Sequence, residues 1–162
     1  MQFQTRQSVA KMFLGVAVLF LATAATAQTT DPLIGTWKLD AAKTSFKPGP
    51  APKSATVVID PAGKGIKLSV DAVNADGSPM KWGFTTQRDG KDVPVTGNPA
   101  YDTAASTQNG PNAGTTEYKK GGKVVLTSKY SLSADGKTLT LTSTGTDPKG
   151  QAVHNVSVYT KQ

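Results

Sequence analysis

Apolar and polar residues alternate along most of the chain after residue 53. Residues 66–70 read IKLSV and residues 80–84 read MKWGF, so every second position is apolar in both segments. Residues 138–144 read TLTLTST, in which threonines on one face oppose leucines on the other. Successive side chains of a β-strand point to opposite faces of the sheet, so this period of two is typical of half-buried strands.

Turn signals separate these segments at regular intervals. Asn-Gly, Asp-Gly and Gly-Gly pairs recur, and such pairs supply the positive φ angles that tight hairpin turns need. Eight turns separate nine candidate strands and Leu33–Leu39 adds a tenth; the turns centre on Gly63, Asp76, Asp89, Gly97, Gly110, Gly121, Asp135 and Pro148. The sequence therefore predicts an all-β fold built as an antiparallel up-and-down meander.

The composition also indicates an all-β fold. Residues 28–162 contain 19 threonines and a single glutamate, Glu117. Threonine favours strands, whereas glutamate is among the common helix formers. The only segment suited to a helical turn is 40–43, which is too short to nucleate a helix by itself.

The connections favour a barrel over a sandwich of two sheets. A sandwich usually needs longer connections between its sheets, and only residues 40–53 are long enough for that purpose. Three prolines in this segment predict an extended linker. A closed barrel leaves no unpaired strand edges, so we predict a barrel of about ten strands.

The first 27 residues have the three-part pattern of a secretory signal peptide. Arg6 and Lys11 precede an apolar run at 12–22, and Ala25-Thr26-Ala27 places small residues before Gln28. The apolar run is about half of the roughly 20 residues needed to span a membrane. We therefore expect cleavage after Ala27, a periplasmic or secreted location, and one domain at 28–162 with no membrane insertion.

Charge and cysteine content exclude several classes of protein. The formal net charge is +7, but the lysines are scattered along the chain rather than clustered, so we expect no nucleic-acid partner. The chain has no cysteine, which excludes disulfide scaffolds and thiol catalysis. Its single histidine, His154, excludes metal sites built from several histidines.

No catalytic motif is present in the sequence. Serine-nucleophile, zinc-protease, phosphate-loop and dinucleotide-binding patterns are all missing, and His154 is the one histidine available as a base. We therefore expect a protein that is not an enzyme and that uses no metal and no cofactor. One minor alternative is haem binding, because His154 lies on the last predicted strand and one histidine suffices as an axial ligand.

Short motifs at both ends of the predicted domain resemble the calycin group, which includes lipocalins and fatty-acid-binding proteins. Gly35-Thr36-Trp37-Lys38-Leu39 resembles the G-x-W motif of the group's first strand, and the closing residues VYTKQ at 158–162 resemble the last strand of fatty-acid-binding proteins. With GTWKL near the start and PVTG at 94–97, the chain resembles more closely the exported bacterial lipocalin-like proteins of unassigned function. The resemblance implies a lipocalin-like barrel in which Gly35 and Trp37 form a structural motif, with Trp37 plugging one end against Lys161.

The sequence also departs from the fatty-acid-binding proteins in two ways. Their first two strands are joined by a helix-turn-helix lid, for which residues 40–53 are too short and too rich in proline. Their carboxylate-binding arginine, two residues before the tyrosine of the closing motif, aligns with Ser157. A buried carboxylate would lack its cation, which is costly, so a fatty acid is not the expected ligand.

The aromatic residues suit a lumen that holds a small, mostly apolar molecule. Trp82 and Phe84 share a strand face, and small residues dominate several strands, which favours an internal cavity. We predict that Trp82 and Phe84 contact this ligand and that Tyr130 and Tyr159 offer it hydroxyl groups. Because no ion pair is foreseen in the lumen, binding is expected to vary little with salt.

Two functions from different classes remain. The first is an exported, non-catalytic carrier or scavenger of a small apolar molecule. The alternative is a structural or interaction protein whose barrel is filled by its own side chains and which binds a macromolecular partner. The sequence of the last strand does not determine which of its faces points into the barrel. Apolar packing favours an inward orientation of Val156 and Val158, whereas the family resemblance favours an inward orientation of Tyr159.

Overall fold

The computed structural model describes residues 31–147 and 149–162, which form one all-β domain. The predicted signal peptide at 1–27 lies outside the described residues. The strands are β1 (Gly35–Leu39), β2 (Ser45–Lys47), β3 (Ser54–Ala62), β4 (Gly65–Val73), β5 (Pro79–Thr86), β6 (Asp89–Pro94), β7 (Thr103–Gln108), β8 (Ala113–Lys120), β9 (Lys123–Leu132), β10 (Thr138–Thr146) and β11 (Ala152–Lys161). The only helical element within the described ranges is a 3-10 turn at Ala41–Lys43.

The strands form a single antiparallel sheet that curls into a nearly closed barrel. Neighbouring strands follow the order β5-β4-β3-β1-β11-β10-β9-β8-β7-β6, and β2 pairs with β11 beside β1. The two ends of this order meet where Gly83 and Thr96 exchange backbone hydrogen bonds of 3.0 Å in both directions. The predicted up-and-down barrel of about ten strands is confirmed, with β1 and β2 acting as one interrupted strand.

Tight turns join the strands at the predicted positions. In the turn between β9 and β10, for example, Gly136 has φ +68° and donates its N–H to the carbonyl of Ser133 at 2.9 Å. Residues with a Cβ rarely adopt this left-handed backbone conformation, so the turn requires the glycine of the Asp-Gly pair. Turns of this kind keep consecutive strands adjacent, as the meander requires.

The segment 40–53 differs from the predicted extended linker, because it contains β2. Residues 40–44 leave the sheet after β1, and the chain then pairs with β11 again over Ser45–Lys47. The carbonyl of Val158 accepts the Asp40 N–H at 2.8 Å, and the Thr44 hydroxyl accepts the Val158 N–H at 3.2 Å. Residues 40–44 are thus held against β11 by hydrogen bonds from Asp40 and to Thr44.

The core lies inside the barrel and has two parts. The larger part surrounds Trp37, which is fully buried, and extends over β3, β4 and the end of β11. The smaller part consists of Phe84, Ala104 and Tyr118 on β5, β7 and β8. Trp82 packs against both parts and therefore links them.

Candidate functional site

The barrel encloses a cavity of about 330 Å³. Its volume is within the range of pockets that bind small molecules. The mouth lies at the end of the barrel where β3 begins, and Phe46, Pro50, Pro52, Asn74 and Asn98 line it there. The opposite end is covered by the residues that precede β1.

One wall of the cavity is apolar. The strands β3, β4 and β5 turn every second side chain inward, as the alternation in the sequence predicts. These inward residues are Ala55, Val57, Ile59, Ile66, Leu68, Val70, Ala72, Met80, Trp82 and Phe84.

The facing wall carries hydroxyl groups. It is built from β7 to β11, and Leu126, Leu139 and Leu141 are interspersed among its polar residues, which are Ser106, Thr116, Tyr118, Ser128, Tyr130, Ser143, Ser157 and Tyr159. Several hydroxyls bond to one another across neighbouring strands: Ser128 and Ser143 are 2.6 Å apart, and Ser106 and Thr116 are 2.9 Å apart. These pairs satisfy buried polar atoms, so the wall stays polar without an unpaired charge.

An aromatic cluster lies between the two walls. Trp82 stacks with Phe84 at a centroid distance of 6.3 Å and meets Tyr118 edge-on at 5.9 Å. Tyr101, from the connection between β6 and β7, lies 4.8 Å from Tyr118. Contacts of this geometry are favourable between aromatic rings, and they hold Trp82 in place on the cavity wall.

All four residues predicted to contact a ligand line the cavity. Trp82 and Phe84 are adjacent, whereas Tyr130 lies toward the covered end. The inner face of β11 carries Ser157 and Tyr159, so the question left open by the sequence is answered in favour of Tyr159. Their role as ligand contacts stays a prediction.

His154 lies on the other face of β11. Its side chain is exposed and is not part of the cavity wall. The sole histidine is therefore not positioned to ligate a haem inside the barrel, and the haem alternative has no support in the lumen.

The covered end is built around Trp37. Its indole N–H donates to the carbonyl of Leu33 at 2.9 Å, and the ammonium group of Lys161 lies 5.1 Å from its ring centroid. Lys161 also donates to the carbonyl of Pro32 at 2.9 Å. A Cβ on Gly35 would lie 2.9 Å from Cε of Lys161, so the absence of a side chain at this position leaves room for the lysine stem.

Sequence reasoning missed Arg88, which among the described residues is the one charged side chain that lines the cavity. It follows β5, and its guanidinium forms an ion pair with Asp31, also at the covered end. This ion pair was not foreseen, because a polar residue in a hairpin turn is usually solvated, whereas Arg88 is only 11% exposed. One available signal was that Arg88 is the only arginine in residues 28–162.

The fold is found in other proteins. The chain superposes on Rv2717c from M. tuberculosis with a TM-score of 0.50 and 18% sequence identity, over 81% of this chain and 93% of that one. The fold is calycin-like.

Two further structures resemble this calycin-like barrel less closely. One is the zebrafish ileal bile acid-binding protein complexed with cholic acid, with a TM-score of 0.48 and 15% identity over 81% of this chain and 99% of that one. The other is the siderocalin Ex-FABP, with a TM-score of 0.35 and 12% identity over 81% of this chain and 74% of that one. No protein-family model and no curated protein matches the sequence.

Burial changes the acidity of the tyrosines that line the calycin-like barrel. It raises the pKa of Tyr101, Tyr118 and Tyr159 above the ordinary value for tyrosine. Burial also raises the pKa of Tyr130, although the adjacent Arg88 guanidinium opposes this effect, first as a hydrogen-bonding group and second through its positive charge. All four hydroxyls are therefore protonated at neutral pH and available as hydrogen-bond donors.

Across residues 31–147 and 149–162, no three acidic or histidine side chains are placed to hold a metal ion. In the same ranges, no helix has the length and apolar character needed to cross a membrane.

Proposed function

We propose that this protein is an exported, non-catalytic binding protein that carries or scavenges a small, mostly apolar molecule in its barrel lumen. The observation that carries the proposal is the cavity of about 330 Å³ inside a barrel with an open mouth. Export rests on the signal-peptide pattern of residues 1–27. The mature domain at 28–162 would then act in the periplasm or outside the cell.

The two walls narrow the kind of molecule that would fit. Burial of apolar ligand surface against β3, β4 and β5 supplies the main driving force for binding, at roughly 25 cal/mol per Å². The hydroxyl wall offers weak, adaptable hydrogen bonds to a polar group or edge of the ligand. A neutral molecule with one or a few polar atoms matches both walls.

Trp82 and Phe84 are the proposed apolar contacts, and Tyr130 and Tyr159 the proposed polar ones. Trp82 is only partly buried in the protein, so a ligand would cover ring surface that faces the cavity. Tyr159 is nearly buried in the inner wall, and its raised pKa keeps the hydroxyl protonated. Large aromatic rings with polar tips suit a ligand of mixed character.

The alternative function, a filled barrel that binds a macromolecule, requires a lumen occupied by the protein's own side chains. The cavity volume favours the small-molecule proposal instead. Small inward-facing residues such as Ala55, Ala72 and Ser106 leave part of the lumen unfilled.

Binding of the neutral apolar dye N-phenylnaphthylamine tests the proposal. We expect saturable binding that raises dye fluorescence and quenches tryptophan fluorescence. Trp82→Ala should weaken dye binding by about tenfold or more, because an aromatic contact worth roughly 1.5–3 kcal/mol is lost. Trp82→Phe should retain most of the affinity, because it keeps an aromatic ring on the cavity wall.

Val124→Ala provides the matched control on the outer surface. Val124 is the large hydrophobic side chain that the described structure leaves most exposed, at 49%. Its removal should leave dye affinity unchanged. If the dye fails to bind, or binds equally well to Trp82→Ala, the lumen is not the binding site and the small-molecule proposal is wrong.

A further inference from the structure

The unpartnered buried polar atoms of the described structure all lie in one corner of the lumen. They are Nε and Nη1 of Arg88 and the hydroxyl oxygen of Tyr130. Both side chains line the cavity. The hydroxyl pairs elsewhere on the polar wall have partners, so these three atoms stand apart from the rest of the lining.

Arg88 is fixed in this corner by its backbone and by Asp31. Its φ is +58°, a left-handed backbone conformation that residues other than glycine and asparagine seldom adopt. Its N–H donates to the hydroxyl of Thr86 at 2.9 Å, and Thr86 is itself 2% exposed. Through Nη2 the guanidinium pairs with Asp31, whose other carboxylate oxygen accepts the N–H of Leu33 at 3.0 Å.

Buried donors without acceptors are costly, and the cost is larger when the group is charged. The ion pair with Asp31 uses one nitrogen of the guanidinium and cancels its charge. Among the described residues, no acceptor stands in hydrogen-bond geometry to the two remaining nitrogens, although the Tyr130 hydroxyl lies beside the guanidinium. The Tyr130 hydroxyl lies beside the guanidinium, whose hydrogen-bonding and charge both act on the pKa of Tyr130, so a ligand atom at the guanidinium would also meet this hydroxyl.

The charge of this corner decides which acceptor fits. Arg88 and Asp31 together carry no net charge, so an entering carboxylate would leave an uncompensated negative charge in a buried site. A neutral oxygen would accept hydrogen bonds from the free nitrogens without that cost. Such an oxygen is found in ketones, amides, ethers and alcohols.

We propose that Arg88 and Tyr130 form a polar subsite at the covered end of the lumen, which holds a neutral hydrogen-bond acceptor on an otherwise apolar ligand. This subsite rests on the proposed small-molecule function and defines the orientation of the ligand. Its polar atom enters first and reaches the corner, and its apolar remainder lies along Trp82 and the apolar wall.

Three matched probes test the subsite by displacement of N-phenylnaphthylamine: methyl heptyl ketone, nonane and nonanoate. They have similar chains and differ in the polar end. Because a hydrogen bond to a charged donor contributes roughly 1.5–3 kcal/mol, the ketone should bind about tenfold or more tightly than nonane. Nonanoate should bind more weakly than the ketone at neutral pH.

Two variants identify the groups responsible. Tyr130→Phe removes an unpartnered hydroxyl and keeps the ring, so the fold should be retained while the preference for the ketone declines. Arg88→Met combined with Asp31→Asn removes the ion pair as a unit, which avoids leaving a buried charge, and the amide oxygen introduced by the second change can still accept the N–H of Leu33. In this double variant the ketone and nonane should bind within about twofold of each other, while dye binding persists.

The outcomes separate the subsite from the function on which it rests. If the dye binds the unaltered protein but the ketone and nonane bind equally, the subsite is refuted and the small-molecule function stands. Tighter binding of nonanoate than of the ketone refutes the neutral acceptor and indicates an anion site. If neither the dye nor any probe binds, both proposals are wrong.

Discussion

Tyrosine is the residue that gives this lumen its mixed character. The chain has four tyrosines, at positions 101, 118, 130 and 159, and all of them line the cavity. Each has a raised pKa because burial disfavours the charged phenolate. The folded protein therefore binds these four protons more tightly than the unfolded chain does.

This difference predicts how stability depends on pH. A raised folded pKa means that the stabilisation is fully present below the unfolded pKa of about 10 and is lost as pH rises above it. Absorbance at the tyrosinate band should show little ionisation near pH ~10 in the native protein, whereas the chain in guanidinium should titrate there. Ordinary titration of all four tyrosines with native circular dichroism retained would contradict their burial.

Trp37 has a different role from the lumen aromatics, because it supports the covered end. It is fully buried, and Leu33 and Lys161 fix it from two sides. Its contribution is therefore to stability and not to ligand contact.

We predict that Trp37→Ala destabilises the fold by about 3–5 kcal/mol, the usual cost of removing a large buried aromatic side chain. Thermal unfolding should show a fall in melting temperature on the order of 10 °C. Val124→Ala, on the exposed surface, should unfold at the original temperature. An unchanged melting temperature for Trp37→Ala would mean that this side chain does not seal the barrel.

Some of the residues that line the lumen could be predicted from the sequence and others could not, and the reasons are physical. Alternation puts Trp82 and Phe84 on one face, and the structure shows that this face is inside. Arg88 was missed because a charged residue in a short turn normally points to water. What turns it inward is Asp31, which is 57 residues away in the chain and cannot be paired with it from sequence spacing.

At the level of elements, the turn residues and the alternation of apolar and polar positions were sufficient to predict ten of the eleven strands. The missing one, β2, has three residues and lies just before the prolines of the linker, so it shows neither a clear period nor a turn signal. It forms because β11 offers an edge there, which is a tertiary effect.

The inner face of β11 was ambiguous because both of its faces are partly buried. Val158 is 8% exposed although it points away from the cavity. Residues 40–44 attach to the backbone of β11 at this point through Asp40 and Thr44. A strand covered on both sides loses the simple contrast of apolar and polar faces on which the prediction relies.

At the scale of the molecule, the barrel is open at one end and sealed at the other. The residues preceding β1 seal it through three polar contacts, from Arg88 to Asp31, from Lys161 to Pro32 and from Trp37 to Leu33. The mouth, in contrast, is lined by prolines and asparagines of the connecting segments. A ligand would therefore enter from the mouth and stop at the polar corner around Arg88.

The resemblance implied an end plugged by Trp37, but the contacts of Arg88 with Asp31 at that end and the cavity volume do not follow from the sequence. Ring closure depends on how much each strand twists, and two backbone hydrogen bonds between Gly83 and Thr96 join the ends of the sheet. The volume depends on how small and large side chains from distant strands face each other across the lumen. The sequence could predict the barrel, but not how much of its interior stays empty.

Native mass spectrometry of the protein purified from exporting cells tests the central claim most directly. We predict a chain beginning at Gln28 that carries one small neutral molecule, which excess N-phenylnaphthylamine replaces in a one-to-one complex. Trp82→Ala should carry less of either molecule, and Val124→Ala should match the unaltered protein. A chain that carries no small molecule and forms no complex with the dye would contradict the account of this barrel as a binding protein.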